Sequence, residues 1–334
     1  MATRQQYFKY QDTLVILAFS GGGTRAAAFS YGVLEFLRRA EIVGSNGEKV
    51  RLLDAVNVVT GVSGGSFTAL AYGLYGDQLF ADYEQRSLKR DVQGELIARA
   101  VNPVYWGKLG ATGWGRSELA AELYDEILLN GATFADLGRS KGPLILASAT
   151  SLSMGARLVF DQDDFDAMCS NLDAVRLSRA AAASSAVPVL PSAVTLDNYG
   201  GTCNYAVPPW LQLFAGLAGP PRLAARAKRQ IDERLAFADG AHRPYIHLVD
   251  GGVSDNVGMR SVLTVLELME AAQRAGVPTP LDRARAGSGF SSSTRCLPPG
   301  PTGMNRRALP ASSAPCSKRL AFQSTTIPTK RWSC

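Results

Sequence analysis

Apolar residues along this chain fall into short runs broken by glycine turns. Leu14-Val15-Ile16-Leu17-Ala18-Phe19 is apolar at every position, the pattern of a strand buried on both faces. Ser20-Gly21-Gly22-Gly23 ends it in a sharp turn. Ala26, Phe29, Val33, Leu37 and Ala40 then recur at helical spacing, which predicts a helix. The same grammar repeats at once. Residues 55–59 read as a strand and Gly61-Val62-Ser63-Gly64-Gly65 as a turn. Phe67, Leu70, Ala71 and Leu74 mark the face of the next helix. Residues 144–149, 158–160 and 245–249 read as further strands, and 258–275 as a helix after the last. Strands alternating with helices through short turns predict an α/β fold, a parallel sheet covered by helices. Residues 101–116 and 204–221 are rich in Gly, Pro and Trp and read as excursions from the sheet.

Composition divides the chain into three segments. Residues 1–11 are an N-terminal extension, 12–282 a catalytic body, and 283–334 a tail. The 46% hydrophobic content is globular. The net charge of +6 is misleading, because the tail holds nine Lys and Arg and no acid. The remainder carries 35 − 9 = 26 basic residues against 29 acidic, a net of −3. Basic character therefore belongs to the tail, and no nucleic-acid partner is expected. With its Ser-Ser-Ser and Pro-Pro-Gly-Pro runs the tail reads as a disordered extension, or as translation that has left its frame. The early apolar run is too short to span a bilayer and lacks the flanks of a signal peptide. A cytoplasmic chain is expected as written, with a leader lost from the gene model as the alternative.

Three turns carry the candidate chemistry. Gly61-Val62-Ser63-Gly64-Gly65 is G-x-S-x-G between a strand and a helix, which exposes a serine hydroxyl on a tight elbow flanked by Gly61 and Gly65. The structural alternative is a helix-capping serine. Gly21, Gly22 and Gly23 offer backbone N–H groups at a helix start, suited to an oxyanion. Arg25 in that first turn opposes the helix dipole, which points to an anionic partner. Asp250 ends an apolar strand and is left open by Gly251 and Gly252; the alternative is an ordinary Asp-Gly turn. A carboxylate within reach of a serine can act as its base directly. The two histidines, His242 and His247, lie at or before a strand, the wrong place for a triad. Gly21 to Ala26 also fits the dinucleotide fingerprint G-x-G-x-x-A, but the next strand ends in Thr60-Gly61 rather than an acid.

Together these motifs resemble the patatin-like phospholipase family, and bacterial members in particular. That resemblance covers residues 12–275. Ser20 stands where many members have Asp, and Ala26 where many have Gly. The tail offers no counterpart to the core strand that usually follows the Asp-Gly-Gly helix. The resemblance implies a three-layer α/β/α sandwich with a central, mostly parallel sheet. It implies a Ser63–Asp250 dyad without histidine, metal or other cofactor, hydrolysing acyl esters of phospholipids or lysophospholipids. Two other readings stay open: a nucleotide-binding oxidoreductase using Gly21 to Ala26, and a damaged, inactive hydrolase.

Two further expectations concern surroundings. Tyr105, Trp106 and Trp114 lie in one excursion, and Pro208, Pro209, Trp210, Leu211, Leu213 and Phe214 in the other. Aromatic and aliphatic neighbours of this kind suit a membrane surface, and at least one excursion is expected to flank the mouth over Ser63. The alternative is ordinary core packing. Cys169 and Cys203 sit in polar stretches, compatible with a disulfide closing 203 − 169 = 34 residues or with two free thiols. A disulfide would place the parent protein in the periplasm or outside the cell.

Overall fold

The chain runs from β1 (Val15–Phe19) into α1 (Gly23–Arg39), a hairpin of β2 (Glu41–Val43) and β3 (Lys49–Arg51), then β4 (Val56–Val62) and α2 (Gly64–Tyr75). Both predicted strand–turn–helix units are therefore present. Five helices follow: α3 (Leu79–Tyr83), α4 (Val92–Val101), α5 (Pro103–Leu109), α6 (Arg116–Tyr124) and α7 (Phe134–Arg139). Next come β5 (Leu144–Ser151), β6 (Arg157–Val159), α8 (Gln162–Ala167), α9 (Leu177–Ser184) and β7 (Val194–Asp197). The last part holds α10 (Pro209–Gly216), α11 (Pro221–Phe237), β8 (Tyr245–Asp250) and α12 (Gly252–Asp255). A two-residue ladder pairs β9 (Gly289–Phe290) with β10 (Leu320–Ala321). This computed structural model describes residues 14–43, 47, 49–109, 115–140, 142–186, 193–216, 221–264, 266, 289–290 and 320–321.

The six-stranded sheet has the order β1-β4-β5-β8-β7, with β6 paired to β5. It is mixed. β1, β4 and β5 are parallel, whereas β6, β7 and β8 run antiparallel to their neighbours. Two layers of helix enclose it. On one face α2 and α9 pack on β5, with α2 also on β4 and α9 also on β8. On the other, Phe237 of α11 and Ser261 and Thr264 line a cavity floored by Leu144, Leu146 and Val159. The core mixes aliphatic and aromatic side chains, with Leu34, Val59, Leu70 and Leu248 fully buried beside Phe19, Tyr83 and Phe160. Burying such side chains is worth about 1.5–3 kcal/mol each.

The register of β5 decides the site. Its first part, through Ser148, pairs with β4; its last part, from Ala149, pairs with β8. Val62 is partnered by Ser148 and Asp250 by Ala149, so the ends of two opposed strands fall beside consecutive residues of β5. In an all-parallel sheet Asp250 would reach Ser63 because the strands share a C-terminal edge. It arrives there by a different route, an antiparallel strand staggered along β5.

Several local expectations are corrected. The buried face of α1 is Ala27, Ser30, Tyr31, Leu34 and Leu37, so of the periodic apolar set Leu37 is buried and Phe29 exposed. The chain has two apolar stripes on this helix, and periodicity alone does not rank them. Each excursion contains a helix, α5 and α10, and Leu211 of α10 is fully buried. Trp106 is exposed and Tyr105 half-buried, while Trp114 and the side chains of Trp210, Leu213 and Phe214 lie outside the described residues. Gly258 has φ +72°, so the last helix begins one residue later, at 259. The remaining predicted part of that helix and nearly all of the tail lie outside the described residues.

Cys169 and Cys203 form a disulfide, with Cα atoms 5.6 Å apart. It ties the end of α8 to the loop before α10. Beside it, α8 docks on α11 through a buried charge pair, Arg234 Nε to Asp164 Oδ1 at 3.3 Å. The second oxygen of Asp164 accepts from the Val159 N–H at 2.9 Å. Asp161 caps α8 by accepting from the Asp164 N–H. Desolvation, reinforced by the negative charges of Asp164 and Asp163, pushes the Asp161 carboxyl up to about 7.

Candidate active site

Ser63 links β4 to α2 with φ +50° and ψ −124°, a conformation that costs a non-glycine residue about 1–3 kcal/mol. Its neighbours hold it there. The Ser63 N–H donates to Ser184 Oγ at 2.8 Å, and that hydroxyl donates to the Ser148 carbonyl at 2.7 Å. The Ser63 carbonyl accepts from the Ser66 N–H at 2.9 Å and from its hydroxyl at 2.6 Å. The Ser63 side chain makes no capping hydrogen bond to α2. Its Oγ donates instead to Asp250 Oδ2 at 2.7 Å. Capping is thus excluded as the role of this hydroxyl in the structure.

Asp250 is held as firmly. Its second oxygen accepts from the Gly252 N–H at 2.6 Å. Its own N–H donates to the Ala186 carbonyl, and the Gly251 N–H donates to that of Ser184, both from the end of α9. Thr150 Oγ1 donates to the Asp250 carbonyl at 2.9 Å. Ser63 and Asp250 are both buried. Neither histidine joins them. His247 Nδ1 is 2.9 Å from Thr195 Oγ1, and His242 Nδ1 is 2.9 Å from Asp239, both at exposed positions.

The glycine turn lies against this pair. Gly22 has φ +138° and Gly23 φ +63°, conformations that favour glycine, and both are exposed at the open start of α1. The Gly21 N–H is spent on the Asn256 carbonyl at 2.9 Å. The N–H groups of Gly22 and Gly23 are therefore the donors available to an oxyanion. Arg25 is exposed in the first turn of the same helix. A Cβ on Gly65 would lie 2.6 Å from the Phe19 carbonyl oxygen and 2.7 Å from that of Ser20, and one on Gly61 2.6 Å from Ser66 Cα. Gly65 lets α2 lie against the end of β1, and Gly61 lets it fold back onto β4. A Cβ on Gly251 would meet the Ser148 carbonyl, so that glycine lets the base loop close onto β5.

Three contributors went unread in the sequence. Ser184 ends an alanine-rich helix, and no local pattern ties it to a serine 121 positions away. Gly64 occupies a variable position of the elbow motif, yet a Cβ there would lie 2.7 Å from the Gly23 carbonyl carbon. Asn256 stands between the two glycine motifs. A Cβ on Gly21 would be 3.5 Å from its Cγ, and one on Gly252 2.8 Å from its Oδ1. Its signal was its position six residues beyond Asp250, close enough for α12 to fold it back.

A family model described as patatin-like phospholipase matches residues 17–263, which include all of these motifs. The chain belongs to the patatin-like phospholipase family. Solved structures similar to it include human GIVD cytosolic phospholipase A2, at 15% identity and a TM-score of 0.38 over 87% of this chain and 54% of that one. The same human enzyme in complex with methyl gamma-linolenyl fluorophosphonate aligns with a TM-score of 0.38 at 15% identity, over 87% of this chain and 50% of that one. The chain thus spans about half the length of these structures. No curated protein matches it. In this patatin-like chain no described helix is long and apolar enough to cross a membrane. Among the described residues no group of three or more His, Cys, Asp or Glu is arranged to hold a metal ion.

Proposed function

We propose that this chain is a serine acyl hydrolase that cleaves carboxyl esters of phospholipids or lysophospholipids through Ser63 and Asp250. The observation that carries this reading is the 2.7 Å hydrogen bond from Ser63 Oγ to Asp250 Oδ2, with neither histidine bonded to the serine. Asp250 takes the proton as Ser63 Oγ attacks the ester carbonyl. The oxyanion is received by the N–H groups of Gly22 and Gly23 at the positive end of α1. Collapse of the tetrahedral intermediate breaks the ester C–O bond, and the leaving alcohol takes the proton from Asp250. Water then adds to the acyl-Ser63, giving a proton to Asp250. The fatty acid departs and Ser63 recovers its proton.

Arg25, exposed in the turn after the oxyanion donors, suits the phosphate of a lipid headgroup. The membrane surface is the place of reaction. The Cys169–Cys203 bond supports work in an oxidising compartment. The test is labelling of the full chain with a long-chain fluorophosphonate, mapped by mass spectrometry, alongside fatty-acid release from phosphatidylcholine. Label on Ser63, lost in Ser63→Ala together with fatty-acid release, supports the reading. Absence of label at Ser63 in the folded chain overturns it.

A further inference from the structure

We infer that the outer face of α1 is the surface by which this chain docks on an anionic lipid bilayer, an inference that rests on the lipid-hydrolase reading and adds the docking face. At about 100° per residue, Arg25, Ala28, Phe29, Gly32, Phe36 and Arg39 share an arc of roughly 100°. All six are exposed. The solvent side of a globular surface helix is ordinarily polar. Here it carries two phenylalanines, 53% and 67% exposed, and no acid. The buried residues Ala27, Tyr31, Leu34 and Leu37 occupy the opposite side, so these rings contribute nothing to the core.

Charge selects the occupant. Along α1, Arg25, Arg38 and Arg39 stand against Glu35, which pairs with Arg39 at 2.8 Å and Arg38 at 3.4 Å, and the helix keeps a net of 3 − 1 = +2. On the exposed arc Arg25 and Arg39 bracket the apolar centre at the two ends of the helix, while Arg38 lies over the Phe80 ring. Rings flanked by cations suit an interface, with the aromatics among acyl chains and the guanidiniums at phosphates. Position supports the same occupant. α1 begins at Gly23, in the glycine turn that lies against Ser63, so a bilayer on this face adjoins the oxyanion donors. Gly32 lies between the rings, and a Cβ there would meet nothing within 4 Å. Packing therefore does not require glycine at this point, and a side chain can be added without disturbing the fold.

The test is cosedimentation of the full chain with phosphatidylcholine vesicles, with and without phosphatidylglycerol. Wild type should pellet with the anionic vesicles, and less so at high salt. Phe29→Ser/Phe36→Ser, by the apolar transfer lost, and Gly32→Glu, by a negative charge set against anionic lipid, should each weaken binding by roughly tenfold or more. Hydrolysis of a soluble short-chain ester should be unchanged in both. Equal pelleting of wild type and variants would overturn the inference. So would loss of binding only in Val104→Ser/Trp106→Ser, which removes exposed side chains of α5 instead. A wild-type dimer broken by Phe29→Ser/Phe36→Ser, with vesicle binding intact, would reassign the face to a second copy. Vesicle binding with no ester hydrolysis in wild type would overturn the hydrolase reading and leave the docking face standing.

Discussion

Gly64→Ala tests whether the elbow and the oxyanion turn work as one unit. A methyl group at Gly64 would sit 2.7 Å from the Gly23 carbonyl carbon and 3.0 Å from its Cα. Ordinary carbon contacts begin near 3.5 Å, so the turn must retreat by roughly 1 Å. The obstacle is backbone, which cannot swing aside as a side chain would. A displacement of that size costs catalysis about 10²-fold, or about 2.7 kcal/mol of transition-state stabilisation. The assay is kcat/KM on a soluble p-nitrophenyl ester with the melting temperature measured beside it. Gly138→Ala is the control, because a Cβ there meets nothing within 4 Å. The expected result is a loss of about 10²-fold in Gly64→Ala with the protein still folded, and wild-type kcat/KM in the control. Near-wild-type kcat/KM in a folded Gly64→Ala would refute the assignment of the Gly22 and Gly23 N–H groups to the oxyanion.

Ser184→Ala leaves the Ser63 N–H and the Ser148 carbonyl without their partner, so chemical denaturation should show a loss of about 1–3 kcal/mol. Fluorophosphonate labelling should slow as the strained elbow relaxes; an unchanged rate would separate Ser184 from the nucleophile. Opening the disulfide by Cys169→Ser/Cys203→Ser releases a 34-residue loop, at a cost of about 3–4 kcal/mol in the chain-entropy picture. Denaturation of both forms in urea checks it. Asp161 gives a pH signature. Its folded carboxyl keeps a proton up to about 7, whereas the unfolded one releases it near ~3.9. Its contribution is therefore full below the unfolded value and is lost as pH rises through about 7. Asp161→Asn should flatten the fall in melting temperature over that window, and an unchanged slope would refute the raised value.

The sequence carried the elements that form locally. Two strand–glycine–helix units appear where apolar runs and turns place them, because strand burial and glycine punctuation are short-range signals. The hydrogen-bonded Ser63 and Asp250 were each legible as a motif, but the reason they meet was not. That reason is the division of β5 between β4 and β8, a pairing register set by tertiary packing. Helical spacing marked α1 but not its buried face, because Phe29 lies on a stripe as periodic as Leu34 and Leu37. Burial chose the stripe of Tyr31, Leu34 and Leu37 and left Phe29 and Phe36 in solvent. Ser184 was illegible because its role depends on where α9 ends relative to β4, which no spacing in the chain encodes.

The central claim is a Ser–Asp pair that needs no histidine. The most direct measurement is the second-order rate of fluorophosphonate labelling at Ser63 in wild type, in Asp250→Asn and in His242→Gln/His247→Gln. The double histidine variant should label at the wild-type rate. Asp250→Asn should fall by at least about 10²-fold, the usual contribution of a positioned base. Full labelling of Asp250→Asn, or loss of labelling in the folded histidine variant, would contradict the account.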